Sequence, residues 1–576
     1  MTATVGLLTT WAAIAALVAA GGLALAGRGA PALAANRLGS ALALLAVATL
    51  GWALATGDFT MAYVAAVTDR ATSWPYRLAG VWGGMGGSML LWSALVAAWG
   101  WRRSLAGPER AAGAWLAAAF LVVGVTLATP WHRLAAPALD GLGATPILRH
   151  PAMLYHPPLL YLGLTSLAMP WASTVAAGID RRGDAAWAGR MRRQLLASFG
   201  VLTLGMVAGA HWAYVELGWG GFWAWDPVEN TSLLPWLAVA GALHGLAATR
   251  RHGAPGLAAP ALAGAALALA VLGTMLTRSG AAPSVHAFGE DAEVGRALVG
   301  LTGVVLAVSV VAVARLSGRR RLDSGEPVDP RAARGEGLAL AVQPWLAGFA
   351  VLVVLLGTVR PLFGDDDVAV DGSYYSSLLA PVGLVAVALA LRFRPKVLAH
   401  VGVLVLAVGV AASTQAASAT ATLAPGESLR VRGWEVVNTG AAAVDDRVVV
   451  APVELRRDGD VVARLEPSLV AFPERGVLLA ETSLRSTPLT DVQVALRNAD
   501  DDGRALLEVH VRPLVWCIWW GGLLLGAAAL AAQLDGRLRT SPGLAASSLP
   551  PPPAPSGTPT CGGFAARGPG FTSGPS

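Results

Sequence analysis

Long apolar runs recur from Gly6 to Gln533, each about long enough to cross a hydrocarbon core of ~30 Å. A backbone in that core must satisfy its own hydrogen bonds, so runs of this length fold as transmembrane helices. They mark thirteen spans, at 6–27, 38–56, 86–101, 112–129, 157–178, 195–214, 231–249, 257–277, 293–314, 339–357, 376–391, 398–414 and 513–533. Only 14% of the residues are charged, against about 25% in soluble proteins, which excludes a cytosolic enzyme and a secreted domain. The net charge of +6 comes mostly from Arg in short loops between apolar segments, so the partner it implies is a lipid bilayer and not nucleic acid.

Alternate loops sort by charge. One set, from Arg28/Arg37 through Arg392–Lys396 to the tail, carries 24 of the 42 Lys and Arg, while the opposite short loops carry seven. The positive-inside rule then places the N-terminus outside and the C-terminal tail in the cytoplasm. Met1–Ala35 lacks a positive n-region and its apolar run is too long for a signal peptide, so it reads as a retained first helix.

One stretch breaks the helical pattern. The segment 415–512 has alternating or β-branched runs, such as Leu429–Arg432, Val448–Val450 and Val492–Leu496, with Asp-Gly pairs at 458–459 and 502–503. It reads as a small extracytoplasmic β domain, with a barrel as the expected form. The fold class is therefore an all-α polytopic membrane protein of about thirteen helices, twelve of them in 1–414, with this β domain before the final helix (513–533) and a Pro/Ser/Gly-rich disordered cytoplasmic tail (534–576). The two cysteines, Cys517 and Cys561, form no C-x-x-C, which excludes a disulfide scaffold, a dithiol oxidoreductase and a c-type cytochrome.

The nine histidines sort by depth. His244 and His400 fall inside apolar spans, both roughly 6–9 Å from the cytoplasmic boundary at 1.5 Å per residue. At matching depth they either ligate one metal centre or each hydrogen-bond a neighbouring helix. His156 and His286 lie at the outer face, as does the segment Trp219-Gly220-Gly221-Phe222-Trp223-Ala224-Trp225-Asp226-Pro227-Val228-Glu229-Asn230. Three Trp and a Phe in seven residues, interleaved with Gly, exceed what interfacial anchoring needs. Gly admits a flat ligand close to the backbone and indoles offer broad faces, so a planar macrocycle whose iron is held by flanking imidazoles fits. Four histidines in two depth-matched pairs suggest two haem positions. His132, His150, His211, His252 and His510 read as ordinary interfacial or solvated side chains, although His132 and His150 compete with His156.

Trp219–Asn230 resembles the tryptophan-rich WWD motif of haem-handling proteins, and the wider pattern resembles the CcmF/NrfE haem lyase family. Matching pieces are Trp82-Gly83, Gly87-Ser88, Trp92, His156-Pro157-Pro158, His244, Arg278-Ser279-Gly280, Val285–Phe288, Ala399–Gly402 and Thr490-Asp491-Val492. The resemblance implies that His156 and His286 hold incoming haem at the WWD surface (Trp219, Gly220, Gly221, Phe222, Trp223, Trp225, Asp226). It implies that His244 and His400 ligate a resident haem b acting as reductant. It further implies a bacterial cytoplasmic membrane location and thioether attachment of haem vinyls to the C-x-x-C-H thiols of apocytochrome c. The partners it implies are a CcmE-type haem chaperone and a CcmH-type presenting subunit; the catalytic residues stay unknown. The chain departs from the family at Met85-Gly86-Gly87-Ser88, where an acidic residue is usual, and is shorter between Tyr374/Tyr375 and His400. Alternative readings are a haem exporter or chaperone-loading protein of the CcmC/CcsA type and a proton-coupled secondary transporter. The transporter is opposed by the lack of a visible internal repeat.

Overall fold

The computed structural model describes residues 1–538 apart from 182, 184, 217, 253–255, 281–283, 285–290, 318–335, 363–369, 394–397 and 473–475. The chain begins with α1 (Thr2–Leu25), α2 (Gly29–Thr56), α3 (Ala62–Val67), α4 (Trp74–Gly83), α5 (Met85–Trp99) and α6 (Gly107–Leu127). After 3-10 turns at Pro146–Arg149 and Pro151–Leu154 come α7 (His156–Ser166), α8 (Ala168–Asp180), α9 (Ala185–Glu216), α10 (Pro227–His252), α11 (Ala258–Ser279) and α12 (Ala292–Ser317). Next are α13 (Glu336–Val359), α14 (Gly372–Phe393) and α15 (Leu398–Ser413), then the β domain, and finally α16 (Val515–Leu538). The expected tail, 534–576, is helical at its start, since α16 continues to Leu538, and residues 539–576 lie outside the described residues.

Among the described residues, eleven helical stretches are long and apolar enough to cross a bilayer, α7 and α8 counting as one. A twelfth is the pair α4–α5, bent by 79°. The thirteenth expected run is α15, whose 16 residues extend about 24 Å at 1.5 Å per residue. The chain is a multi-pass membrane protein. Its expected third span is one arm of the bent pair, because Gly84 is extended (φ −137°, ψ 168°) and interrupts the helix. A Cβ at Gly86 would stand 2.4 Å from Ala128 O and one at Gly87 2.3 Å from Val81 O, so this corner closes only on glycine.

Two seams of small residues set the helices that matter most below. Gly241 and Gly245 let α10 approach α13, where an added Cβ would come within 2.7 Å of Ala347 and 3.4 Å of Pro344 respectively. Gly402 and Gly521 bring α15 against α16, with the Leu525 and Leu406 amides 2.7 and 2.3 Å from an added Cβ. Such close backbone approach is how transmembrane helices associate when the surrounding lipid is as apolar as the side chains.

The β domain is three antiparallel four-stranded sheets. Asp458 (φ 53°) and Gly459 (φ 95°) form the two-residue hairpin expected of an Asp-Gly pair with both residues at positive φ. The sheet facing the helices runs Ala417–Leu423, Ala505–Pro513, Thr490–Ala499, Ser483–Arg485. Strand Thr490–Ala499 departs from simple alternation, since Asp491 through Leu496 are all buried. One face lies on the domain core with Val509 and Val511, and the other meets the end of α9, where Gln493 Nε2 donates to Tyr214 O at 2.9 Å. The domain is pinned there by Thr482 Oγ1 to Val215 O (2.7 Å) and Arg497 Nη2 to Gly218 O (2.8 Å).

Candidate functional site

His244 lies roughly 26 Å along α10 from Pro227, and His400 roughly 20 Å along α15 from Ser413. Both are therefore deep in the bundle, away from the β domain, as depth-counting on the sequence expects. Their ring centroids are 6.2 Å apart, with planes at 47°. Two imidazoles ligating one metal at about 2 Å place their centroids roughly 6 Å apart, so the spacing suits a shared ion. His244 Nδ1 is 2.8 Å from Ala240 O. A carbonyl only accepts, so Nδ1 carries the proton and Nε2 keeps its lone pair, the usual tautomer control of a ligating histidine. His400 Nδ1 is buried without a hydrogen-bond partner.

Both rings line a cavity of about 740 Å³ walled by Leu196, Phe199, Trp236, Leu237, Ala350 and Leu525, with Arg192 and Gln343 also on its wall. That volume is within the ~300–1,000 Å³ of ligand and cofactor pockets. No cluster of three or more His, Cys, Asp or Glu able to hold a metal occurs among the described residues. A two-histidine site therefore suits a metal that brings its other ligands with it, as haem iron does. The donor set, the ring spacing and the apolar wall all fit that group.

The second region is the turn between α9 and α10. Pro227 opens α10 and Asp226 caps it, Oδ1 accepting from Val228 N at 3.0 Å. Glu229 Oε2 reaches back to accept from Ala224 N (2.8 Å) and Asp226 N (3.3 Å). Trp225 is held at positive φ (59°), a strained choice for a large residue. It is fixed by Asn230 Nδ2 donating to its carbonyl at 3.1 Å and by Tyr375 stacked on its indole, centroids 4.4 Å apart and 5° from parallel. Trp223 stands edge-on to Trp225 at 6.1 Å, with its buried Nε1 unpartnered. Gly220 turns at φ 74° directly over His510, where a Cβ would stand 2.4 Å from the ring. Gly221 lies so close to Trp219 that a Cβ would meet its indole at 1.7 Å. The Trp219–Asp226 residues are thus one braced aromatic surface, with Phe222 edge-on to Trp519 of α16 at 6.4 Å.

His156 begins α7 at this same end of the bundle. Its Nδ1 donates to Gly205 O at 2.9 Å, which leaves the lone pair on Nε2. Its ring stands edge-on to Trp212 at 5.8 Å, and His150 stacks on that indole at 6.2 Å. His150 Nδ1 accepts from Ala152 N at 3.1 Å, and Nε2 is 3.9 Å from Glu216. Burial, then the neighbouring His211, lowers the His150 pKa. His286 lies outside the described residues, as does the side chain of His252. Ser284, two residues before His286 in sequence, donates to Asp226 Oδ2 at 2.7 Å, which ties Ser284 to the aromatic surface. His132 is exposed and His211 stands edge-on to Trp519.

Several partners in this region escape a reading of the sequence: Tyr375, Trp212, Tyr214, Ser284 and His510. His510, taken as an ordinary interfacial residue, is buried under Gly220 with Nε2 3.1 Å from Glu508 Oε1 in distance but off the direction of a hydrogen bond. Asp491 anchors the β domain, accepting from Ser486 Oγ (2.7 Å), Thr487 N (3.1 Å) and Tyr214 OH (3.1 Å). Burial raises its pKa despite those bonds. No local signal links them, since the pairs meet across 145 or more positions in Asn230–Tyr375 and Tyr214–Asp491.

Residues 82–282 match the family model described as cytochrome C assembly protein. The chain is 33% identical over 528 residues to a probable cytochrome c-type biogenesis protein NrfE of Escherichia coli (strain K12), covering 87% of this chain and 94% of that protein. It is 30% identical over 584 residues to the cytochrome c-type biogenesis protein CcmF of Pseudomonas aeruginosa, covering 85% and 89%. The solved structure of a cytochrome c heme lyase CcmF superposes with a TM-score of 0.76 at 25% identity, covering 92% of this chain and 97% of that one.

Proposed function

This chain belongs to the CcmF/NrfE family of cytochrome c-type biogenesis proteins, and from that premise we propose that it is a haem lyase with two haem-handling sites. In this reading, incoming haem is the substrate, laid against Trp219–Asp226 with His156 and His286 as axial ligands. The indoles and Gly220–Gly221 position its vinyl groups toward the apocytochrome thiols. Each thioether forms as a Cys S–H adds across a vinyl double bond, sulfur going to one carbon and the proton to the other. His244 and His400 would hold a resident haem b, which would supply one-electron chemistry to the incoming iron and be re-reduced by an external electron donor. The chain's own part is then positioning: Ala240 sets the tautomer of His244 and Gly205 that of His156.

The observation that carries the reading is the His244–His400 pair, centroids 6.2 Å apart in an apolar cavity remote from the Trp-rich surface. A protein that only exports haem or loads a chaperone needs the surface but not that second pair. The Arg-rich loops, by the positive-inside rule, support a reading with the β domain and the Trp-rich surface outside the cytoplasmic membrane and the C-terminal tail within. That side suits a CcmE-type haem chaperone, a CcmH-type subunit and apocytochrome c. The test is complementation of a bacterium lacking its own family lyase. His156→Ala should cut haem-stained cytochrome c by more than about a hundredfold, beyond the 10–100-fold typical of outer-shell losses, with the b-type spectrum of the purified variant intact. Equal loss of both signals would defeat the two-site reading.

A further inference from the structure

α10 leaves the Trp-rich surface at Pro227 and α11 returns toward it. Gly273 of α11 faces Thr231 in the first turn of α10, an added Cβ standing 2.6 Å from Thr231 Cβ. Arg278, five residues on and roughly 7.5 Å further along the helix, is therefore level with the Trp219–Asp226 turn. Its Nη2 donates to Tyr161 OH at 3.0 Å. Tyr161 lies on α7 five residues, roughly 7.5 Å, from His156. The Tyr63 phenol lies within electrostatic reach of both Arg278 and Tyr161.

These neighbours are neutral. Arg278 is half-buried, and among the described residues it has no carboxylate partner. The closest acidic residue along the chain among those described, Asp291, gives its backbone N–H to Arg278 O at 2.9 Å. Its carboxylate instead caps α12, accepting from Glu293 N at 2.8 Å and Val294 N at 3.2 Å. A half-buried guanidinium whose side-chain neighbours, among the described residues, are phenols is better held when an anion arrives to pair with it. Arg presents a fixed fork matched to a carboxylate. The flat ligand of the adjoining surface carries two carboxylates at its edge.

Resting on the proposed Trp-surface site, we infer that Arg278, aimed by Tyr161, binds a propionate of the incoming porphyrin and so sets which edge of the ring faces the thiols. Full-length protein in neutral detergent is titrated with iron(III) protoporphyrin IX and with its dimethyl ester, following Trp fluorescence quenching. Wild type should prefer the free acid roughly tenfold or more, the scale of a charge-assisted hydrogen bond. Arg278→Gln should bind both as weakly as wild type binds the ester. Arg278→Lys should recover part of the preference, and Tyr161→Phe should narrow it. A full preference surviving in Arg278→Gln, or equal binding of acid and ester by wild type, overturns the assignment and leaves the Trp-surface site standing. Binding of neither porphyrin by wild type defeats both.

Discussion

The His244–His400 pair and the Trp-rich surface place histidines by opposite means. The pair needs two helices, α10 packed through Gly241 and Gly245 against α11 and α13 and α15 packed through Gly402 against α16, and its wall is almost wholly apolar. The surface draws on α7, α9, the 218–226 turn, α11, α14, the β domain and α16, tied by hydrogen bonds such as Ser284 to Asp226 and Arg497 to Gly218. An apolar cavity with one matched pair suits, in the proposed function, a cofactor that stays; a surface assembled from many elements suits a large ligand that passes. The lesson is that losses in the first region should be all-or-none, while losses in the second should be graded.

The largest effect is expected at the buried pair. His244→Ala or His400→Ala should abolish the six-coordinate, low-spin b-type spectrum, with haem retention down by more than roughly a hundredfold. His132→Ala, at an exposed position, should leave it untouched. The haem-free protein offers a second readout. His400 Nδ1 is buried and unpartnered, a cost of about 1–3 kcal/mol, so His400→Ala should not lower the Tm of haem-free protein. A bis-imidazole spectrum in His400→Ala, or a marked drop in that Tm, would make His400 a packing residue and dissolve the contrast.

A smaller, graded effect is expected from crowding the aromatic surface. A Cβ at Gly221 would overlap the Trp219 indole, and overpacking of this kind costs about 1–3 kcal/mol. Gly221→Ala should therefore weaken porphyrin binding at the surface by roughly tenfold, while the b-type spectrum stays normal. Gly113→Ala on α6, with nothing within 4 Å of the added Cβ, is the matched control and should change neither. If Gly221→Ala removed the resident haem too, the two regions would be one cooperative unit.

How much of this could be read from the sequence follows from the range of the interactions. The helices were legible because each span is a local apolar run, and the Asp458-Gly459 hairpin because its turn chemistry is local. Depth, counted from Lys and Arg, brought His244 and His400 together correctly, since both lie on continuous helices of fixed rise. The α4–α5 bend was not legible, because Gly84 breaks a helix only where Val81, Ala128 and Tyr63 crowd the corner. Nor was the Tyr375 stack on Trp225, or the burial of both faces of Thr490–Ala499, which depends on where α9 ends. Local pattern located the Trp-rich segment; only tertiary structure supplied its braces.

The smallest expected effect separates the two regions by pH. His510 is buried under Gly220, so burial lowers its pKa below 6.5; Glu508 opposes that shift and Arg512 and Arg497 add to it. A histidine whose folded pKa is depressed takes up protons more readily once undocked. The stability it leaves intact above pH 6.5 is therefore lost as pH falls from there toward the folded pKa. Asp491 has the opposite sign, because its raised pKa favours the docked state at low pH and loses that contribution as pH rises above 3.8. His150, also depressed by burial, shares the sign of His510; it sits against Trp212 and follows Arg149, whose guanidinium lies 5.1 Å over the Phe472 ring of the β domain. The contribution of His510 to the seam between the β domain and the 218–226 turn should thus fall modestly between pH 6.5 and 5.5, by less than about 1.4 kcal/mol over one pH unit. Limited proteolysis of the purified protein within 415–512 reads that fall, and the resident spectrum should not move over the same range. His510→Gln should flatten the pH dependence of cleavage while leaving the contribution of His150. An unchanged pH response in His510→Gln would show that the seam is governed elsewhere, and a parallel shift in the b-type spectrum would show that the buried pair shares the surface's protons.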